Sequence, residues 1–126
     1  GYALGSEELI GIMRKCSASW NLNVCAQKAA VAGLADQEYY QAQKAKIVEG
    51  REYLEKEMAA LGCKVYPSQS NFIYFDTGKD PAWIQEQLMD KGIRIGAFEM
   101  SRVSVGTMEE CKLYIKALKE ILEAAE

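Results

Sequence analysis

The segment at residues 101–107 constrains the fold most, because it places one arginine inside a short β-branched run that stops at a glycine. Side chains alternate along a strand, so Val103 and Val105 share one face. Arg102 and Ser104 then share the opposite face. A guanidinium held on a strand is a planar, permanently charged fork that suits a carboxylate. The pattern therefore predicts a strand that carries either an anion-binding arginine or a solvated, edge-guarding charge.

The first half of the chain is predicted to be helical after a short strand at residues 2–4. Ser6 supplies an N-cap for the first helix, and a polar loop at residues 17–23 follows it. An alanine-rich helix is expected at residues 24–34. A long third helix is expected after an N-cap at Asp36. Apolar residues recur every seven positions along it and form one narrow face, made of Tyr40, Ile47, Leu54 and Leu61.

The second half has a mixed pattern of strands and helices. Asp80 and Pro81 mark the start of a helix that ends before Gly92. Thr107 opens the last helix with a capping box. Strands are predicted at residues 64–66, 71–75, 93–95 and 102–105. The run at residues 72–75 is apolar enough for a strand that is covered on both faces. This order predicts the α/β (α+β) class, with a small mixed or antiparallel sheet of about four strands covered by helices.

Composition excludes several classes of function. A chain of 126 residues with 49% apolar residues can form one domain with a real core. The net charge of −3, with both signs interspersed, gives no reason to expect nucleic acid or an anionic membrane as a partner. No apolar run approaches the roughly 20 residues of a membrane span. The absence of histidine excludes a Ser-His-Asp or Cys-His mechanism.

The cysteines do not indicate a metal site. The four cysteines are scattered, with no CxxC pair and no histidine, so we expect no metal. Reduced, mostly buried thiols in a cytosolic protein are the expectation.

Six short segments, taken in order, resemble the C-terminal part of the class I and II pyridoxal-phosphate aminotransferases. They are residues 1–9 (GYALGSEEL), 20–23 (WNLN), 26–30 (AQKAA), 50–54 (GREYL), 69–75 (QSNFIYF) and 102–107 (RVSVGT). Each segment is short, and their order and spacing carry the resemblance, which covers essentially the whole chain. The sequence is most similar to the histidinol-phosphate aminotransferase group.

The resemblance implies that the catalytic and cofactor-binding residues of such an enzyme lie outside this chain. In the family, the lysine that bonds to the cofactor and the arginine that grips its phosphate lie just upstream of the GYALG segment. Residues 1–126 are therefore expected to be the small C-terminal domain of a fold type I enzyme, with preceding linking helices, and to bind no cofactor alone. The intact parent would be a cytoplasmic homodimer that uses pyridoxal 5'-phosphate to transfer an amino group between an amino acid and a 2-oxo acid.

The resemblance also implies roles for individual residues. Arg102 would bind the α-carboxylate of the substrate. Asn71 would support that site, although a role at the start of a strand or in a turn is at least as consistent with its position. Trp20 and Asn21 match a loop that in the family lies close to the active site, sometimes that of the neighbouring subunit, and packing alone would equally explain Trp20.

One strand departs from the family pattern. Histidinol-phosphate aminotransferases tend to place an arginine for the substrate phosphate where Gly96 stands in this sequence. Arg94 lies two residues earlier, so on a strand it would share the same face, farther along. The loop between Gly96 and Arg102 is also shorter than usual. Both changes count against histidinol phosphate as the substrate.

Two alternatives remain open at the level of sequence. A related pyridoxal-phosphate-dependent amino-acid-phosphate decarboxylase shares much of this C-terminal pattern. A free-standing, non-enzymatic α/β module for binding or assembly would also explain a complete-looking core without a cofactor lysine. A reading frame that extends upstream into a Ser-Lys motif and a glycine-rich phosphate loop would favour the enzyme, and a genuine start codon at or near Gly1 would favour the module.

Overall fold

A computed structural model describes residues 3–19 and 21–125, which divide into two compact units, Gly1–Tyr40 and Gln41–Glu126. The first unit contains α1 (Glu7–Cys16) and α2 (Val24–Ala35). The side chains of Ser6 and Asn23 cap these helices by accepting hydrogen bonds from backbone N–H groups. The predicted strand at residues 2–4 is wrong where the structure describes it, because Ala3 and Leu4 form no strand, while Tyr2 lies outside the described residues.

The third helix, α3 (Gln37–Ala60), begins in the first unit and continues in the second. Asp36 accepts a hydrogen bond from the Tyr39 backbone N–H at 3.1 Å, as an N-cap should. Within the second unit, the predicted seven-residue face is only partly correct. Leu54 is fully buried, but the buried stripe of α3 is made of Gly50, Arg51, Leu54 and Met58. The helix ends before Gly62, which has a φ of +81° and so adopts a backbone conformation that glycine tolerates best.

The second unit contains a four-stranded, fully antiparallel sheet, in agreement with the predicted fold class. The strands lie in the order β1-β2-β4-β3 and are β1 (Lys64–Val65), β2 (Phe72–Asp76), β3 (Gly96–Ala97) and β4 (Ser101–Ser104). The strand predicted at residues 93–95 is wrong, because the ladder begins only at Gly96. β4 pairs with a neighbour on both sides, so an edge-guarding role for Arg102 is excluded.

The two faces of the sheet differ in burial. Ile73 and Phe75 of β2 and Val103 of β4 point into the core, where Ile73 and Phe75 are fully buried. Phe72 and Tyr74 lie on the opposite face and remain partly exposed. The prediction that residues 72–75 are covered on both faces is therefore wrong, because in the part of the chain that the structure describes the buried helical residues pack against one face only.

Two more helices complete the core. Asp80 caps α4 (Pro81–Asp90), and Ile84 and Leu88 of this helix are fully buried. The last helix, α5 (Met108–Ala124), starts with the predicted capping box between Thr107 and Glu110. It contributes a broad apolar stripe to the same core, made of Cys111, Tyr114, Ile115, Ala117, Leu118 and Ile121. No helix among the described residues is long and apolar enough to cross a membrane.

The cysteines divide equally between exposed and buried positions, so the prediction of mostly buried thiols is wrong for two of them. Cys16 and Cys25 are exposed, since they lie on α1 and α2, which contain no buried residue. Cys63 and Cys111 are buried. Burial, together with the negative charge of Asp76, raises the pKa of the Cys63 thiol to about 11.

We expect the thiols to react with an aromatic disulfide reagent in two phases at pH 8. Cys16 and Cys25 react at once, whereas Cys63 and Cys111 react only after unfolding, because the reagent needs an accessible thiolate. A Cys16→Ser, Cys25→Ser variant should lose the fast phase, and one rate for all four thiols would contradict the assignment.

The raised pKa of Cys63 also makes the free energy of unfolding depend on pH. Since this pKa rises from its usual 9.0 to about 11, the contribution of Cys63 to the free energy of unfolding is complete below pH 9 and is lost as the pH rises through about 11.

Candidate functional site

The candidate site is built around Arg102, at the centre of the sheet. Arg102 lies opposite Tyr74 of β2 and opposite Gly96 of β3, so both neighbouring strands fix its backbone. Its guanidinium carbon lies over two aromatic rings, 5.2 Å from the ring centre of Phe72 and 5.5 Å from that of Phe98. Phe72 is a diagonal neighbour on the same face of the sheet, and long side chains at such positions come within reach of each other. Arg102 is therefore half-buried and held against aromatic rings on the less covered face of the sheet.

The guanidinium retains hydrogen-bonding capacity. The Nε atom of Arg102 is buried and makes no hydrogen bond within the described residues. None of the ion pairs among these residues involves Arg102. A buried donor without a partner costs free energy, and such a group in a native structure calls for a partner. A carboxylate is the partner that best matches the planar fork of arginine.

Arg102 and Arg94 line the same cavity, which has a volume of about 430 Å³. Gln85 of α4 donates a hydrogen bond from Nε2 to the carbonyl oxygen of Ile95 at 2.7 Å, which ties the backbone between Arg94 and Gly96 to a helix. Arg94 is exposed and precedes β3, so it does not lie on a strand as predicted. The cavity nevertheless brings two of the predicted site residues together. It is lined by Gln85, Arg94, Ile95, Gly96, Ala97, Phe98, Arg102 and Ser104.

Asn71 lies immediately before β2 and does not line this cavity. Its carbonyl oxygen accepts a hydrogen bond from the Val105 backbone N–H at 2.8 Å, and its Oδ1 accepts one from the Ser70 hydroxyl at 3.3 Å. These bonds are consistent with the predicted alternative, a role for Asn71 at the start of the strand. A carboxylate-supporting role remains a prediction.

Arg51 is a buried charged residue with no role predicted from the sequence. It is only 9% exposed, and its Nη1 donates a hydrogen bond to the carbonyl oxygen of Ser70 at 3.3 Å. Its Nε lies 4.0 Å from Oε1 of Glu55, one helical turn along α3. Arg51 thus braces the turn that leads to Asn71. The sequence signal was an arginine next to Gly50 and three residues before Leu54, inside the buried stripe of α3.

Asn21 belongs to the first unit, where it is exposed in the loop between α1 and α2. The side chain of Asn23, two residues later, caps α2 by accepting a hydrogen bond from the Ala26 N–H at 2.8 Å. The cap explains why the loop ends where it does. Trp20 lies outside the described residues, so its predicted packing or active-site role stays a prediction, as does that of Asn21.

The lining of the cavity suits an anionic group. Covalent attachment of pyridoxal phosphate needs a lysine, and among the described residues no lysine lines the cavity. Its two charged lining residues are arginines, whose planar guanidinium groups bind anions through several N–H donors. The arrangement can bind and orient an anionic group. No group-transfer step is assigned to these residues.

Comparison with known proteins identifies the family. The sequence profile described as "Aminotransferase class I and II" matches residues 1–118. The histidinol-phosphate aminotransferase of Moorella thermoacetica is 33% identical over 128 residues, which are 97% of this chain and 33% of that protein. The chain thus spans about a third of the length of the curated relatives it matches. The resemblance to the histidinol-phosphate aminotransferase group is confirmed.

Solved structures of pyridoxal-phosphate enzymes and related proteins have the same fold as this chain over most of its length. The histidinol-phosphate aminotransferase of Sinorhizobium meliloti, in complex with pyridoxal-5'-phosphate, has a TM-score of 0.74 and 30% identity, over 91% of this chain and 34% of that one. A decarboxylase from Sulfurospirillum multivorans has a TM-score of 0.76 at 19% identity, over 94% of this chain and 38% of that one, and shows the fold alone. On the extent of the profile match and the identity to its relatives, this chain belongs to the class I and II aminotransferase family.

Proposed function

We propose that this chain is the C-terminal small domain, with preceding linking helices, of a pyridoxal-phosphate-dependent aminotransferase. The intact enzyme would transfer an amino group between an amino acid and a 2-oxo acid, and Arg102 would bind the α-carboxylate of both. One observation carries the proposal: the Arg102 guanidinium lies over two aromatic rings, lines a cavity and forms no ion pair with any of the described residues. An amino acid and its 2-oxo acid share the α-carboxylate, so one fork serves both half-reactions.

The role of Arg102 would be orientation. Two parallel N–H···O bonds fix the plane of a carboxylate, and the directions of the bonds on the adjacent carbon follow from that plane. Holding the reacting bond in one direction lowers the entropic part of the barrier without any proton transfer by the arginine. The pyridoxal cofactor, when bound, supplies the electron sink for the amino-group chemistry.

The cofactor and its anchoring residues would come from a larger domain of the same polypeptide. The relatives are about three times as long as this chain, and one with a solved structure binds pyridoxal-5'-phosphate. Apolar side chains of the first unit are also strongly exposed, with Leu4 at 89%, Leu34 at 74% and Val31 at 69%. Exposed apolar surface of this extent is typical of an interaction site. We propose that the larger domain covers it in a homodimeric, cytoplasmic parent.

Arg94 would add a second positive charge to the same cavity. It is exposed and lines the cavity together with Gly96. The family tends to carry an arginine at the position of Gly96. A second anionic group on the substrate would therefore meet Arg94 rather than a side chain at position 96. The departure at Gly96 still counts against histidinol phosphate as the preferred substrate.

The experiment is a visible absorbance titration of the full-length protein with pyridoxal phosphate, followed by a panel of L-amino acids with 2-oxoglutarate as acceptor. We expect a bound-cofactor band and formation of the matching 2-oxo acid, because the relatives are aminotransferases. The 126-residue chain, titrated in parallel, should develop no such band. Release of carbon dioxide without a 2-oxo acid product would indicate a decarboxylase instead. A full-length protein that gives neither band nor product would favour the non-enzymatic module.

A further inference from the structure

The Phe98 ring occupies a position that depends on the missing side chain of Gly96. A methyl group at Gly96 would lie 2.8 Å from Cε2 of Phe98, much closer than carbon atoms approach each other, whereas its distances of 3.5 Å from Cδ2 of Phe98 and 3.6 Å from Cβ of Arg102 are ordinary contacts. The Phe98 backbone N–H donates a hydrogen bond to the Met100 carbonyl oxygen at 3.2 Å, which closes the turn between β3 and β4. The ring therefore rests on the bare backbone of Gly96, although it is 62% exposed.

From this position the ring contacts the guanidinium of Arg102. The guanidinium carbon lies 5.5 Å from the ring centre of Phe98, within the range of a cation–π interaction. The second ring over the guanidinium, that of Phe72, is anchored on β2, where it forms an edge-to-face pair with Tyr74 at 5.6 Å and 86°. Phe72 is thus fixed by the sheet, whereas the placement of Phe98 depends on a turn and on a glycine.

Aromatic contact has a consequence that an ion pair would not have. A carboxylate partner would occupy the N–H groups of the arginine and compete with an anionic ligand. An aromatic ring attracts the cation through its π face and accepts none of those N–H groups. Arg102 can therefore be held in one orientation while its donors stay free for a ligand, and an ordered side chain loses less entropy on binding.

We propose that Phe98, seated on Gly96, is a positioning residue that holds the Arg102 guanidinium ready for a carboxylate. The inference rests on the proposed function of Arg102 and adds two residues to it that act through the arginine. It predicts that a methyl group at position 96 has the same effect on Arg102 as loss of the Phe98 ring, because both remove the ring from the guanidinium.

The test uses the 126-residue chain with ¹⁵N-labelled arginine, in which the Arg102 Nε–H resonance is the one that disappears in Arg102→Lys. We compare Phe98→Ala, Phe98→Leu, Gly96→Ala and the double variant Gly96→Ala, Phe98→Ala. The order parameter of the Nε–H group reports positioning, and titration with acetate reports carboxylate binding. We expect each variant to lower the order parameter and to weaken acetate binding by about two- to fivefold, the size of an exposed cation–π contact.

The double variant decides between a shared and a separate effect. If Gly96 acts only through Phe98, the double variant should bind acetate as weakly as Phe98→Ala and no more weakly. If the two substitutions act independently, their fold-losses in acetate affinity should multiply. Phe98→Tyr should restore the wild-type values because it keeps the π face, and Phe98→Leu should not. Gly33→Ala and Leu113→Ala are matched controls, since a methyl at Gly33 meets nothing within 4 Å and Leu113 is 63% exposed.

The two proposals fail in different ways. An Arg102 order parameter that is unchanged in Phe98→Ala and Gly96→Ala would overturn the positioning role, and so would a double variant clearly weaker than Phe98→Ala. If the wild-type Nε–H resonance does not respond to acetate while Phe98→Ala still lowers its order parameter, positioning stands and the carboxylate-binding function of Arg102 is wrong.

Discussion

Replacing Arg102 by lysine in the full-length protein is expected to lower kcat/KM for the amino donor by about 10- to 100-fold, the range of hydrogen bonds to a charged group. An ammonium keeps the charge, but it cannot form two parallel bonds to a carboxylate or lie flat over the rings of Phe72 and Phe98. The measurement is steady-state kinetics with the amino donor found in the panel and 2-oxoglutarate. Arg102→Met, which also removes the charge, should be slower still.

Lys112→Arg is the control for this prediction. Lys112 is exposed on α5 of the second unit, whereas the apolar surface that we assign to the larger domain belongs to the first unit, so exchanging one cation for the other at position 112 should leave the kinetics unchanged. Circular dichroism of both variants checks that the fold is retained. Unchanged kinetics of Arg102→Lys toward every amino donor would remove Arg102 from the substrate site.

Replacing Phe75 by alanine is expected to cost about 3–5 kcal/mol of unfolding free energy, because it leaves a cavity in a close-packed core. Phe75 is fully buried on β2 and packs edge-to-face against Tyr114 of α5, with ring centres 6.3 Å apart. The loss therefore affects the contact between the sheet and the last helix. Urea unfolding of the 126-residue chain, followed by far-UV circular dichroism, measures the change.

Phe98→Ala makes the same chemical change at a surface position. The Phe98 side chain is 62% exposed, so its removal should cost less than about 1 kcal/mol. The comparison separates burial from residue type. Equal losses in the two variants would contradict the placement of Phe75 in the core and of Phe98 at the surface.

Most of the local structure was predictable, because its causes lie within a few residues. The N-caps Ser6 and Asp80 and the capping box of Thr107 act on backbone groups two or three residues away. Gly62 ends α3 for an equally local reason. The apolar stripe of α5 follows directly from helical periodicity.

The errors arise where burial or pairing depends on distant parts of the chain. Residues 93–95 have the apolar alternation of a strand, yet Gly96 and Ala97, with low strand propensity, form β3 because β4 lies beside them. The continuous apolar run at residues 72–75 predicts burial on both faces of the strand, but the core covers only the face that carries Ile73 and Phe75. Arg51 shares the buried face of α3 with Leu54, but its hydrogen bond to the Ser70 carbonyl joins residues 19 positions apart and could not be predicted from the local sequence.

For the candidate site, the sequence by itself identified Arg102 as a charge on a strand and, through its resemblance, the family to which the chain belongs. The tertiary structure alone decided that β4 lies inside the sheet, that Arg94 shares a cavity with Arg102, and that Phe98 rests on Gly96 beside the guanidinium. The physical reason is the separation along the sequence between the residues that interact. Caps, turns and periodicity are properties of neighbouring residues, whereas a binding site is formed by strands and turns that come together only when the core has formed.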